Sequence, residues 1–308
     1  MKSLVLLTAL LLLGRQPHPA PTLEPEVFSI VDFGISKRLM LTEASVDGQK
    51  GMFLFDTGAS HLTLNQNRFP GKKIVENAGE TTNIIENGVA LKATKVGQFQ
   101  WGNIVREKMF CPVADLSVLE KQLGYPILGL IGFDIIKDYV VEINYVDQII
   151  TLKTVSTSKQ LNAARPDHSL DFNLCGHIPV LETDVGMKQK VYLGLDSGAS
   201  INVLDKSWHK QAALHALRQD KLNFTGAAAG SKQADYMVFK EMIIDGVLTL
   251  TTPGLLLTDF EIPTGRCLRV DGLIGIDAFT CKRVEIDYPN AKMHIWLGAG
   301  VATADGCF

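Results

Sequence analysis

One phrase occurs twice in this chain: FDTGAS at Phe55–Ser60 and LDSGAS at Leu195–Ser200. Each follows an apolar run, GMFLF before Asp56 and VYLGL before Asp196. A second phrase follows each of them much later, GLIGFD at Gly129–Asp134 and GLIGID at Gly272–Asp277. A carboxylate duplicated in a duplicated frame predicts two halves that face each other, each contributing one aspartate. Two carboxylates at close range cannot both ionise, so they share a proton, and one serves as acid while the other serves as base.

The repeat extends beyond these words. GLIGFD leads into VVEINYVDQIITL and GLIGID into RVEIDYPNAKMHI, each an alternating run, a turn and a second alternating run, which reads as a β-hairpin. Upstream, LMLTEASVDGQKGMFLF and IPVLETDVGMKQKVYLGL both read strand, glycine turn, strand. The expected fold is mostly β, with two homologous barrel-like lobes related by a pseudo-two-fold axis and a cleft between them. The boundaries read as lobes at 23–155 and 169–297, a polar linker at 156–168 and a loose tail at 298–308. Helices are few. Asp205 is placed to cap one running through Trp208 to Leu217, and Asp115 another through Leu119. A short helix is expected after each GLIG word, with Asp134 or Asp277 accepting from its first N–H groups.

A chain of 308 residues suits two lobes rather than one core. The net charge of −3, without a long run of one sign, argues against nucleic acid as a partner. Lys2 followed by the apolar stretch Leu4–Leu13 reads as a secretory signal peptide at 1–22, too short for the roughly 20 residues of a membrane span. The expected product is exported, secreted or periplasmic, with no stable membrane anchor after cleavage. Five cysteines leave at least one unpaired within the chain, and Cys267 and Cys281 are a candidate local pair. No metal site is read: His209 and His215 do not share a helix face, and His168 and His177 lack a carboxylate frame. His61, beside the first phrase, has no counterpart in the second and reads as a loop histidine.

The duplicated residues suit acid–base hydrolysis of an amide. A water held between Asp56 and Asp196 gives a proton to one carboxylate as it attacks, and the other carboxyl donates to the carbonyl oxygen. Gly58 and Gly198 let the backbone turn tightly beside each carboxyl. The hydroxyls of Thr57 and Ser197 need partners once buried, and across facing lobes each reaches the opposite loop. Leu130, Ile131 and Gly132, with Leu273, Ile274 and Gly275, are expected to pack beneath the aspartate loops. No cofactor is called for.

Asp-Thr/Ser-Gly-Ala followed by Leu-Ile-Gly, in two copies and in the same order, resembles the aspartic peptidases of the pepsin and retropepsin superfamily. The resemblance covers most of the chain. It implies that Asp56 and Asp196 are the catalytic dyad, that Thr57 and Ser197 grip across the interface, and that the substrate is a peptide or protein. Both lobes lie in one chain, as in pepsins, although the words are retropepsin-like. A monomer is therefore expected, and a homodimer pairing like lobes is the weaker arrangement. Phe133 and Ile276 stand where viral retropepsins carry arginine, so apolar packing is expected to hold the interface. Gly226–Ser231, with Gly226 and Gly230, is read as a flap tip, and Gly79 marks its counterpart in the first lobe. Ala59 and Ala199 replace a hydroxyl common in pepsins, which implies a less acidic working range. The expected function is that of an aspartic endopeptidase. The alternative is an exported peptide-binding module without catalysis on the same fold.

Overall fold

The computed structural model describes residues 27–75, 80–83, 86–90, 92–154, 165–225, 231–260, 269–279 and 282–297. The fold is mostly β. Strand Leu39–Val46 turns back on Gln49–Phe55 through Asp47 and Gly48, both at positive φ, the geometry that two-residue hairpins need. Phe55 then runs straight into Asp56. Strand Gly129–Ile131 lies parallel to this strand, with Gly129 beside Phe53 and Ile131 beside Phe55. On its other side it pairs antiparallel with Thr63–Asn65. The GLI strand is thus threaded between the strands that enter and leave the Asp56 loop. Glycine permits the passage: a Cβ on Gly129 would lie 2.2 Å from the Thr63 carbonyl oxygen, and one on Gly132 2.6 Å from that of His61.

Strands Ile104–Ala114 and Lys92–Trp101 continue this sheet, and the pairing of Val46 with Phe99 closes a six-stranded ring. Its interior is aromatic. Phe53 meets Phe99 edge to face at 5.9 Å, and Phe55 lies 5.7 Å from Trp101. The buried Trp101 Nε1–H donates to Thr42 Oγ1 at 3.0 Å, so the indole brings no orphaned donor into the core.

The second half threads its strands in the same way. Gly272–Ile274 runs parallel to Val191–Leu195 and antiparallel to Asn202–Asp205. A Cβ on Gly272 would come within 2.0 Å of the Val203 carbonyl oxygen. These strands belong to a ten-stranded sheet. The two hairpins read after the GLIG words both form, at Val140–Asn144 with Ile149–Lys153 and at Lys282–Asp287 with Lys292–Leu297. They do not stay apart. Val140–Asn144 pairs with Lys282–Asp287, so one six-stranded sheet joins the two halves of the chain. The seam carries a buried ion cluster in which Lys153 Nζ reaches Glu142 at 2.7 Å and Glu285 at 3.1 Å. Strand His168–Asp171 borders this sheet, starting at the last residue of the stretch read as linker.

The helix signals fall close to their expected places. Asp205 accepts from the Ser207 N–H and caps the turn Lys206–Trp208, which leads into helix His209–His215, two residues short of Leu217. Asp115 accepts from the Ser117 N–H at 2.9 Å, where helix Ser117–Leu123 begins. Asp134 departs from its expected role. It lies inside helix Phe133–Ile136, no side chain caps that helix at Gly132, and its carboxylate accepts from the Leu62 N–H at 2.7 Å. It braces the Asp56 loop from below instead. Arms Arg218–Thr225 and Ser231–Val238 pair across the segment read as a flap tip, so Gly226 and Gly230 lie between them, outside the described residues. The small hairpin of the first half pairs Glu80–Asn83 with Glu86–Ala90, which centres it on 84–85. Gly79 also lies outside the described residues. The signal segment, the tail and the Cys267/Cys281 pair fall outside the described residues too. Among the described residues Cys111 is free and buried, and Cys175 is held in a disulfide.

Candidate active site

The threading brings both duplicated loops to one place. The Asp56 N–H donates to the Ile131 carbonyl and the Asp196 N–H to the Ile274 carbonyl, each at 3.0 Å. Each GLI strand therefore fixes the start of its aspartate loop. Leu130 and Leu273 line the space above the loops, while Ile131 and Ile274 turn into the core and are fully buried. Gly132 and Gly275 pass close beneath the carbonyls of Ala59 and Ala199. The N–H groups of Phe133 and Ile276 close each loop on those same carbonyls, at 2.8 and 3.1 Å.

Across the interface the loops grip each other reciprocally. Thr57 Oγ1 accepts from the Ser197 N–H at 2.9 Å and donates to the Leu195 carbonyl at 3.4 Å. Ser197 Oγ accepts from the Thr57 N–H at 3.0 Å and donates to the Phe55 carbonyl at 3.0 Å. Both hydroxyls are buried, and together they satisfy four backbone groups that water cannot reach. The carboxyls interleave with the glycines of the opposite loop. A Cβ on Gly58 would lie 2.5 Å from the carboxyl carbon of Asp196, and one on Gly198 equally close to that of Asp56. Glycine is required at both positions because the opposite carboxyl occupies the side-chain space.

Asp56 accepts from the N–H groups of Gly58 and Ala59 at 2.9 and 3.0 Å. Asp196 accepts from the Gly198 N–H at 2.8 Å. Burial raises the pKa of both carboxyls above the usual aspartate range. Asp56 is held well above it, because the charge of Asp196 and the hydrogen bond between the two carboxyls add to burial. For Asp196 the Gly198 N–H and the bond from Asp56 work against burial and favour the anion. Two carboxyls held this close share one proton rather than ionise together.

The dyad forms part of the wall of a cavity of about 410 Å³. Leu39, Leu54, Leu119, Leu130, Ile201, Leu256 and Phe260 supply most of its apolar lining, with contributions from both halves. The interface beside the dyad is aromatic, as expected where Phe133 replaces an arginine: Phe133 meets Tyr288 edge to face at 5.4 Å, and Tyr288 meets Phe172 at 6.3 Å. His61 is exposed, with Nδ1 2.8 Å from Ser60 Oγ. His177 enters this region unannounced by the sequence reading. Its Nε2 lies 2.7 Å from the Gly58 carbonyl oxygen, and its ring 6.2 Å from that of Phe133.

Comparison with known proteins agrees with this geometry over the first half. Residues 42–135 match the family described as Aspartyl protease, which places this segment in the aspartic protease superfamily. The matched stretch contains Asp56, Thr57, Gly58 and the GLIGFD word. No curated protein matches the chain.

Proposed function

We propose that this protein is an aspartic endopeptidase in which Asp56 and Asp196, one from each of two homologous lobes, activate a water against a peptide bond. The observation that carries this reading is the reciprocal interleaving of the two loops: each hydroxyl bonds the opposite backbone, and each carboxyl packs on the opposite glycine. Such an arrangement holds two carboxyls close together at the wall of an open cleft, where a water and a peptide can reach them. Asp196, the anion, takes a proton from the water, and Asp56 donates its proton to the carbonyl oxygen. Asp196 then passes that proton to the departing nitrogen while Asp56 takes one back from a hydroxyl of the gem-diol, so the C–N bond breaks, acid and amine leave, and the dyad returns to its singly protonated state. Because one chain supplies both aspartates, the active form is a monomer. The apolar cleft suits apolar side chains on either side of the scissile bond. The N-terminal segment 1–22 supports export.

The test is cleavage of a mixed peptide library across pH 3 to 8 by the purified protein and by Asp56→Asn. Products from the first and none from the second are expected. Equal cleavage by both would place the chemistry elsewhere. Failure of both, with each protein folded, would leave a peptide-binding module.

A further inference from the structure

Beside the reciprocal grip, one further contact joins the two halves. His177 sits at the tip of a tight hairpin in which Cys175 pairs with Ile178. Gly176, at φ +63°, makes the turn, and the disulfide at Cys175 adds a covalent anchor. The tip is therefore rigid, and it delivers the imidazole to the Gly58 carbonyl of the other half, 2.7 Å away. A carbonyl can only accept, so the neutral ring carries its proton on Nε2. The matching hairpin of the first half, Gly34–Ser36 on Leu39–Val46, presents Arg38 at the equivalent place. A histidine clamp is thus particular to the Asp56 side.

Gly58 is no neutral anchor. Its N–H bonds Asp56, and its Cα is the surface on which the Asp196 carboxyl rests. A shift of this peptide moves both members of the dyad. Building on the proposed peptidase reading, we propose that His177 is a positioning residue for the dyad, a clamp that holds the Asp56 loop in place against Asp196.

The surroundings of the ring favour its neutral form. The imidazole is half-buried between the Gly58 peptide and Phe133, whose far side packs on the phenol of Tyr288. The ionisable group whose field acts on it is His61, which repels a second positive charge. Asp56 turns its carboxyl to Gly58, Ala59 and Asp196 instead. Burial, and then His61, hold the imidazole below its ordinary value of 6.5, although the bond to Gly58 favours the charged form. The ring is therefore neutral near pH 7, and because an imidazolium keeps its Nε2–H, the contact with Gly58 does not depend on that form.

The experiment measures kcat and KM from pH 3 to 8 for wild type, His177→Gln and His177→Leu, with circular dichroism at each pH to establish folding. Glutamine keeps an amide donor but cannot take a charge. Its activity should stay within about threefold of wild type, because the donor to Gly58 is kept. Leucine removes the donor, so kcat should fall about 10- to 100-fold with little change in KM, as for a misplaced reacting group. Unchanged kcat in His177→Leu, or a kcat in His177→Gln as low as in His177→Leu, would overturn the clamp while leaving the peptidase reading intact. If His177→Leu does not fold, His177→Asn, whose shorter side chain draws the amide back from the carbonyl, takes its place. A folded wild type that cleaves nothing would overturn the function and the clamp together.

Discussion

Replacing Ser197 by alanine tests the interface where its cost is most readily counted. The hydroxyl has two partners, the Thr57 N–H and the Phe55 carbonyl, each at 3.0 Å. Thr57 and Phe55 are both 0% exposed, so water cannot replace the lost oxygen unless the interface opens. Leaving a buried donor or acceptor unsatisfied costs about 1–3 kcal/mol. Two such groups give about 2–6 kcal/mol. At roughly 2 °C per kcal/mol for a chain of this size, the melting temperature should fall by about 4–12 °C. Activity should fall further than stability implies, because the same oxygen fixes the peptide between Asp56 and Gly58. A loss of about 10- to 100-fold in kcat is expected from misplacing the carboxyl. Ser197→Thr is the control, because Thr57 shows that a threonine makes the same pair of bonds in the first copy. Thermal unfolding by near-ultraviolet circular dichroism, with kcat measured well below the transition, reads both effects. A melting temperature within about 1 °C of wild type and an unchanged kcat would refute the argument that these hydroxyls hold the dyad.

Three further outcomes follow from the same geometry. Gly58→Ala should abolish activity, since its Cβ would be built 2.5 Å from the Asp196 carboxyl carbon, and a peptide assay checks it. Raised carboxyl pKa values mean that burial of the charge costs stability as pH rises above the ordinary aspartate value of 3.8 and is without cost below it. Asp56→Asn should therefore melt higher than wild type at pH 7, with the gap closing below pH 3.8; a gap that widens in acid would contradict the shared-proton description. Lys153→Met leaves Glu285, 1% exposed, without its lysine at the seam between the halves, and should destabilise by about 3 kcal/mol in urea unfolding. Adding Glu285→Leu should recover much of that loss.

The dyad and its frame were legible because they answer a local steric problem that both halves share. A strand must end in a carboxyl, a hydroxyl must follow to cross the interface, and a glycine must follow to make room for the opposite carboxyl. The GLI strand must then slip past two carbonyls. Each demand names a residue type at a fixed spacing, so Asp56, Thr57 and Gly58, with their copies, appear as words. Asp134 was misread for the opposite reason. The local rule assigns an acidic residue after GLIG to a helix N-terminus, but the Leu62 N–H, distant in sequence, takes the carboxylate. The joined six-stranded sheet was hidden in the same way, because Ile143 against Val284 is a register between segments far apart in the chain. His177 shows what a repeat conceals. Comparing two copies reveals what both must have and discards what differs, and the histidine stands where the other copy has arginine. In a duplicated site the shared residues set the chemistry that either half requires. The departures from the repeat, Phe133 and His177, answer demands of one half alone, and so leave no second copy to mark them.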